Sequence, residues 1–147
     1  GSEMCIRDSP DDAIFYVDML NMMASEERFG ICLDTGHIQL VHRQPADYIR
    51  KVGSRLKLLH MHENDAYGDL HQMPYTFGSS KECGTDWDSL AAALADIDFD
   101  GTLSFETFPC MNSFPYGTRY EVLRTIHEVG VYIKGKIEST RYVHVIL

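Results

Sequence analysis

The sequence is short of positive charge. Thirteen lysines and arginines stand against twenty-two aspartates and glutamates, a net charge of -9 with histidine neutral. That sign weighs against nucleic acid gripped through its phosphates and against anionic membrane surfaces, both of which reward clustered Lys and Arg. A bound divalent cation would offset part of it. No run approaches the roughly 18 apolar residues of a membrane span, and no signal peptide opens the chain, so a cytoplasmic protein with no membrane partner is expected. Paired cysteines are missing too. Cys5, Cys32, Cys83 and Cys110 are widely spaced with no C-x-x-C, which argues against a zinc knuckle or redox pair and fits a reducing compartment. Cys32 stands in an apolar run, where a small core side chain is expected. Internal repeats, low-complexity tracts and interdomain linkers are also lacking. What is there, 147 residues of which 44% are apolar, suits one domain of modest size that buries about two thirds of its surface.

The segment "SPDDAIFYVDMLNMM" (9–23) reads as a helix. Ser9 suits the N-cap, Pro10 the first helical position, and Asp11 and Asp12 the positive end of the dipole. Ala13, Val17, Leu20 and Ala24 form an apolar stripe with Ile14 beside it. "ICLD" (31–34) reads as a short buried strand, "QPADYIRKVG" (44–53) as a helix begun by Pro45, and "LKLLHMH" (56–62) as a second strand. Residues 63–85 form a polar loop of a length that is uncommon unless functional. "DWDSLAAALADI" (86–97) is a helix capped by Asp86 with Trp87, Leu90, Ala91 and Leu94 inward, and "TLSFETF" (102–108) is a third strand. Residues 117–138 form a long helix weakened at Gly130 and Gly135. The tail "RYVHVIL" (141–147) has strand propensity and could add a sheet edge. Alternating helices and short apolar strands are the pattern of a parallel α/β sheet.

Each strand finishes on a metal-binding or acid/base side chain: Asp34, His62 and Glu106. Ligands of βα folds sit outside the carboxyl ends of the strands, which parallel pairing gathers on one rim. Singly, each has an ordinary reading. Asp34 could cap a helix, and either His60 or His62, two apart on one strand face, could be a buried hydrogen-bonded histidine. Glu106 resists that reading, because a carboxylate between Phe105 and Phe108 is costly unless paired or bound to a metal. Together the three suggest a cation site suited to Mn, Mg, Fe, Co or Zn, among which spacing does not choose. His37, Asp69 and His71 form a second polar set that could hold another cation or hydrogen-bond a polyol; each alone reads as a solvated loop residue. His42, His127 and His144 read as helix-face, loop or tail residues.

The motifs "LDTGH" (33–37), "HMHENDAYGDLHQMP" (60–74), "GTDWDSLAAAL" (84–94) and "FDGTLSFETF" (99–108) resemble, in order, those of the xylose-isomerase-like superfamily of TIM barrels. That group includes sugar phosphate isomerases and epimerases, ketose 3-epimerases, inosose dehydratases and the endonuclease IV type of apurinic endonuclease. The resemblance runs over about residues 10–135. It implies that Asp34, His62 and Glu106 are metal ligands on the sixth, seventh and eighth barrel strands, with Glu106 also one of the acid/base pair. It implies that His37 touches substrate, or a second metal in the endonucleases, and that Asp69 and His71 join such extra metals. Trp87 matches an aromatic position with a packing role.

A full barrel needs about 250 residues and eight strands, whereas three strands are legible here. The fold expected is therefore a partial (β/α)8 barrel: the last three βα units, with extra terminal strands at 3–6 or 141–147 and completion by homo-oligomerisation. Residues 1–9 read as a tag remnant and non-native leader, 10–139 as the C-terminal part of the barrel, and 140–147 as a β-prone tail. The fifth-strand glutamate, the arginine that often follows the histidine strand, and any phosphate-binding residues are not visible, and "SSKE" (79–82) lengthens the loop. The function implied is that of a truncated metal-dependent isomerase or epimerase of carbohydrate metabolism. Its parent would take a small sugar or sugar phosphate, use divalent Mn, Co, Mg or Zn, and move protons through an ene-diolate, with Glu106 and His37 as catalytic residues. The alternatives are a non-catalytic folded fragment, an endonuclease IV-like hydrolase and an inosose dehydratase-like lyase.

Overall fold

Short apolar segments between helix-forming stretches pair into one parallel sheet in a computed structural model that describes residues 9–78 and 84–146. Strands β1 (Ile31–Asp34), β2 (Leu56–Met61) and β3 (Thr102–Phe105) lie in that order, with Asp34 opposite His60 and His60 opposite Ser104. Helix α1 (Pro10–Ala24) precedes the sheet, and α2 (Thr35–Leu40) and α3 (Pro45–Val52) carry the chain from β1 to β2. Helix α4 (Trp87–Asp96) leads to β3, and α5 (Phe108–Asn112) and α6 (Arg119–Ile146) follow it. Because all three strands run the same way, their carboxyl ends share one rim.

Successive strand residues face opposite sides. Leu33, Leu59 and Met61 face the helices, where Ile49, Val52, Trp87, Leu90, Leu94 and Ile133 are fully buried. On the other face Cys32 is exposed while Leu58, His60 and Ser104 are half-buried, so no described element covers it. Cys32 is thus not the core side chain its apolar neighbours suggested: the two-residue period turns it away from the helices. Among the described residues no helix is long and apolar enough to cross a membrane.

Several elements differ from the sequence reading. Strands β2 and β3 stop at Met61 and Phe105, and the chain beyond Glu106 turns into α5. Helix α2 carried too few apolar positions to show a period. Helix α6 is unbroken at Gly130 and Gly135, and Gly130 instead serves close packing: a Cβ there would lie 2.9 Å from the Phe105 ring. The tail is helical to Ile146 rather than a strand. A continuing helix satisfies its own backbone groups, whereas an edge strand needs a partner, and β-propensity is a weak preference against that demand. Ser9 precedes α1 without a side-chain capping bond. Of the stripe on α1, Val17 is buried but Leu20 is 42% exposed; the helix is also tied down by ion pairs, Asp11 to Lys51 at 2.6 Å and Asp18 to Arg55 at 2.6 Å. The strand expected at 3–6, Cys5, the insertion 79–82 and Cys83 lie outside the described residues.

Candidate metal centre

Each residue of Leu33–His37 has a separate task. Leu33 is core. Asp34 ends β1 and caps α2, its Oδ1 accepting the His37 backbone N–H at 2.9 Å. The buried Thr35 hydroxyl donates to the His62 carbonyl at 2.9 Å and accepts the His62 N–H at 3.2 Å, stitching the ends of β1 and β2 together. Gly36 makes room for the His62 ring, which would lie 2.2 Å from a Cβ at that position. His37, one turn into α2, then leans across His62, ring centroids 5.4 Å apart and nearly perpendicular.

The segment after β2 was read as polar loop, yet Glu63 and Asn64 are fully buried. Glu63 closes the far half of the loop: its Oε1 accepts the Thr85 N–H at 3.0 Å and the Trp87 indole N–H at 3.1 Å, and its Oε2 accepts the Phe77 N–H at 3.3 Å. Burial pushes the Glu63 carboxyl above its ordinary range despite these donors. A backbone bridge between Glu63 and Gln72 ties off the near half, and a turn held by the Asp65 carboxylate, accepting from Tyr67 and Gly68, shapes its tip. Trp87 therefore links α4 to the loop as well as packing. Spacing gave no signal for Glu63 and Asn64, because polar residues directly after an apolar strand are equally compatible with solvent.

The three strand-end residues converge. Ligand atoms of Asp34, His62 and Glu106 lie within 4.8 Å of one another, and those of His37, His62, Asp69 and His71 form a second such group sharing His62. His62 Nε2 is 2.8 Å from Asp34 Oδ1, and His60 Nδ1 is 3.1 Å from Glu106 Oε1. His37 spans from Asp34 Oδ2 at 3.4 Å to Asp69 Oδ2 at 3.5 Å. His71 stacks on His62 with centroids 3.8 Å apart and planes 5° from parallel. His60, left open between roles, thus pairs with Glu106 outside both groups.

A divalent cation suits these donors. Nδ1 of the fully buried His62 lacks a hydrogen-bond partner, and Nε2 meets the Asp34 carboxylate at 2.8 Å. His71 Nδ1 lies 2.9 Å from the Glu106 backbone carbonyl, an acceptor, so the proton belongs on Nδ1. Its Nε2 then turns a lone pair toward Asp69 Oδ1 at 3.1 Å, an arrangement that a cation or a second proton relieves. Burial pushes the Asp34 carboxyl up, but contact with His62 and His37 outweighs it and holds the group below its ordinary range, in its ligating form.

A cleft of about 480 Å³ opens beside Asp34, His37, His60 and Glu106 and extends along β1 past Cys32 to Ala13, Ile38 and Tyr48. The chain is 30% identical over 83 residues to the uncharacterized protein y4fM of Sinorhizobium fredii; the match covers 56% of this chain and 25% of that protein, so the chain spans well under half of its relative. Residues 1–126 match the family described as the xylose isomerase-like TIM barrel, and the chain belongs to that family.

Proposed function

We propose that the rim of this sheet is the metal-binding end of an isomerase or epimerase acting on a small sugar or sugar phosphate. The convergence of Asp34, His62 and Glu106 within 4.8 Å at three parallel strand ends carries this reading. The two carboxylates balance the charge of a divalent Mn, Co, Mg or Zn, and the imidazole suits all but the hardest of these. Asp34, His62 and Glu106 would hold the cation, which would supply Lewis-acid stabilisation of negative charge on substrate oxygens. Asp34 and His62, little exposed, hold and orient without moving protons. Glu106, with its side chain 37% exposed toward the cleft, takes the proton. His37, 33% exposed, orients a substrate hydroxyl. Return of the proton to the opposite face falls to a second acid elsewhere in the whole barrel.

The whole protein on this reading is a (β/α)8 barrel of which the described strands are the last three. In isolation the chain forms a homo-oligomer through its sheet edges or uncovered face, since unpaired edges and apolar positions such as Leu58 invite association. Light scattering across micromolar dilution tests this, and a clean monomer throughout rejects it.

Two other readings have an observation each. The group His37, His62, Asp69 and His71 supports a second cation position, as a metal-dependent phosphodiester hydrolase would need, but the net charge of -9 opposes a nucleic-acid substrate. The cleft-side face of the sheet, which no described element covers, supports a folded remnant without turnover. Metal uptake separates them. Added Co, Mn or Zn should raise the melting temperature, and Asp34→Ala, His62→Ala and Glu106→Ala should each weaken uptake. A chain that takes up no metal is the remnant; unchanged uptake in all three variants rejects the assignment. Proton exchange with a panel of ketoses, against cleavage of abasic DNA, then decides between the enzyme classes.

A further inference from the structure

We propose that Asn64 is the positioning residue that folds the loop so that Asp69 and His71 reach the rim. The buried side-chain amide uses both of its ends on this loop. Oδ1 accepts the Leu70 N–H at 2.7 Å and the His71 N–H at 3.0 Å, and Nδ2 donates to Asp69 Oδ1 at 3.3 Å. The Asn64 backbone N–H is held in turn by Gln39 Oε1 of α2 at 3.1 Å. One residue thus places the backbone of His71 and the carboxylate of Asp69 through its side chain, and through its backbone N–H fastens them to the helix that carries His37.

The loop needs such a tie. His71 has φ of 48° and Ala66 of 70°, left-handed conformations that are uncommon outside glycine and that surrounding contacts help to hold. Glu63 cannot serve, because its oxygens are committed to Phe77, Thr85 and Trp87 on the far half of the loop. Neighbouring buried residues therefore divide the work: Glu63 closes the outer arm and Asn64 sets the inner arm that bears the ligands. Without Asn64, the Leu70 and His71 amides lose their acceptor, and only the Glu106 carbonyl and the Glu63–Gln72 backbone bridge are left to steady His71 over His62. Partners of this kind, one step removed from a metal ligand, typically change metal affinity by about 10–100-fold when removed.

The metal part of the test rests on the second cation position proposed above; the exchange part does not. Asn64→Leu keeps the size and removes both functions, whereas Asn64→Asp keeps an oxygen for the two amides. In the full chain, hydrogen exchange at Leu70 and His71 should speed up in Asn64→Leu while β2 and α4 stay protected, and Asn64→Asp should restore slow exchange. Titration with Co²⁺ should show the parent binding two equivalents, one at Asp34, His62 and Glu106 and one at His37, Asp69 and His71, and Asn64→Leu weakening the second about 10–100-fold with the first retained. Unchanged exchange at Leu70 and His71 in Asn64→Leu overturns the proposal. So does an equal rise across β2 and α4, which makes Asn64 a residue of general stability, and so do two Co²⁺ equivalents at parental affinity. If the parent binds no Co²⁺, the metal reading fails and exchange alone judges Asn64, so the two failures are distinguishable.

Discussion

The two faces of the sheet obey opposite rules. Toward the helices, Leu33, Leu59 and Met61 are at most 4% exposed and meet a close-packed layer from α3, α4 and α6. Toward the cleft, the same strands show Cys32, Leu58, His60 and Ser104, partly or wholly open, and end in Asp34, His62 and Glu106. The first face is apolar and tolerates no gap; the second concentrates charge that the closed layer could never accept. The difference teaches where stability and chemistry reside. The packed face supports the strand ends, and the rim carries polar side chains that also help the fold, Asp34 as the cap of α2 among them.

This contrast can be tested from its strongest side to its weakest. Leu59→Ala, on the packed face, should cost about 2–5 kcal/mol in denaturant unfolding, the range for a fully buried leucine whose cavity cannot collapse. Gly36→Ala should cost about 1–3 kcal/mol, because its Cβ falls on the His62 ring, and should weaken Co²⁺ uptake even though no ligand has been removed; parental uptake would mean that the ring can move without consequence. Glu63→Gln tests the loop through pH. Burial raises its carboxyl in the fold above the ordinary glutamate value of about 4.5, so the folded state keeps the proton longer and stability falls as pH rises through the window above that value. Glutamine removes the penalty, so the melting temperature of the variant relative to the parent should improve between pH 4 and pH 7. A constant difference would show that the carboxylate is fully compensated by its donors. His60→Gln, on the open face, should change stability by no more than about 0.5 kcal/mol yet lower Co²⁺ affinity through Glu106; a larger loss of stability would mean that this face is packed after all.

Legibility followed the kind of signal. The strands, α1, α3 and α4 were readable because period and capping are local: Pro10, Pro45 and Asp86 sit where helices start. Helix α2 was not, since six residues offer no period, and the tail misled because β-branched residues state a preference that a continuing helix overrode. At the site, Asp34, His62 and Glu106 were legible from their place after apolar runs. Glu63 and Asn64 were not, because a polar residue after a strand looks the same whether it meets solvent or is buried under a returning loop.

The amino-acid sequence by itself therefore determined the alternation of helix and strand, the parallel sense of the sheet and the three side chains at its rim, all of which follow from local spacing and from the geometry that parallel strands share. Only the tertiary structure decided that Cys32 faces away from the core, that Gly36 is room for an imidazole, that His60 holds Glu106 and that Asn64 orders the ligand loop. These depend on which distant segments come within a few ångströms of one another, and spacing along the chain carries no measure of that.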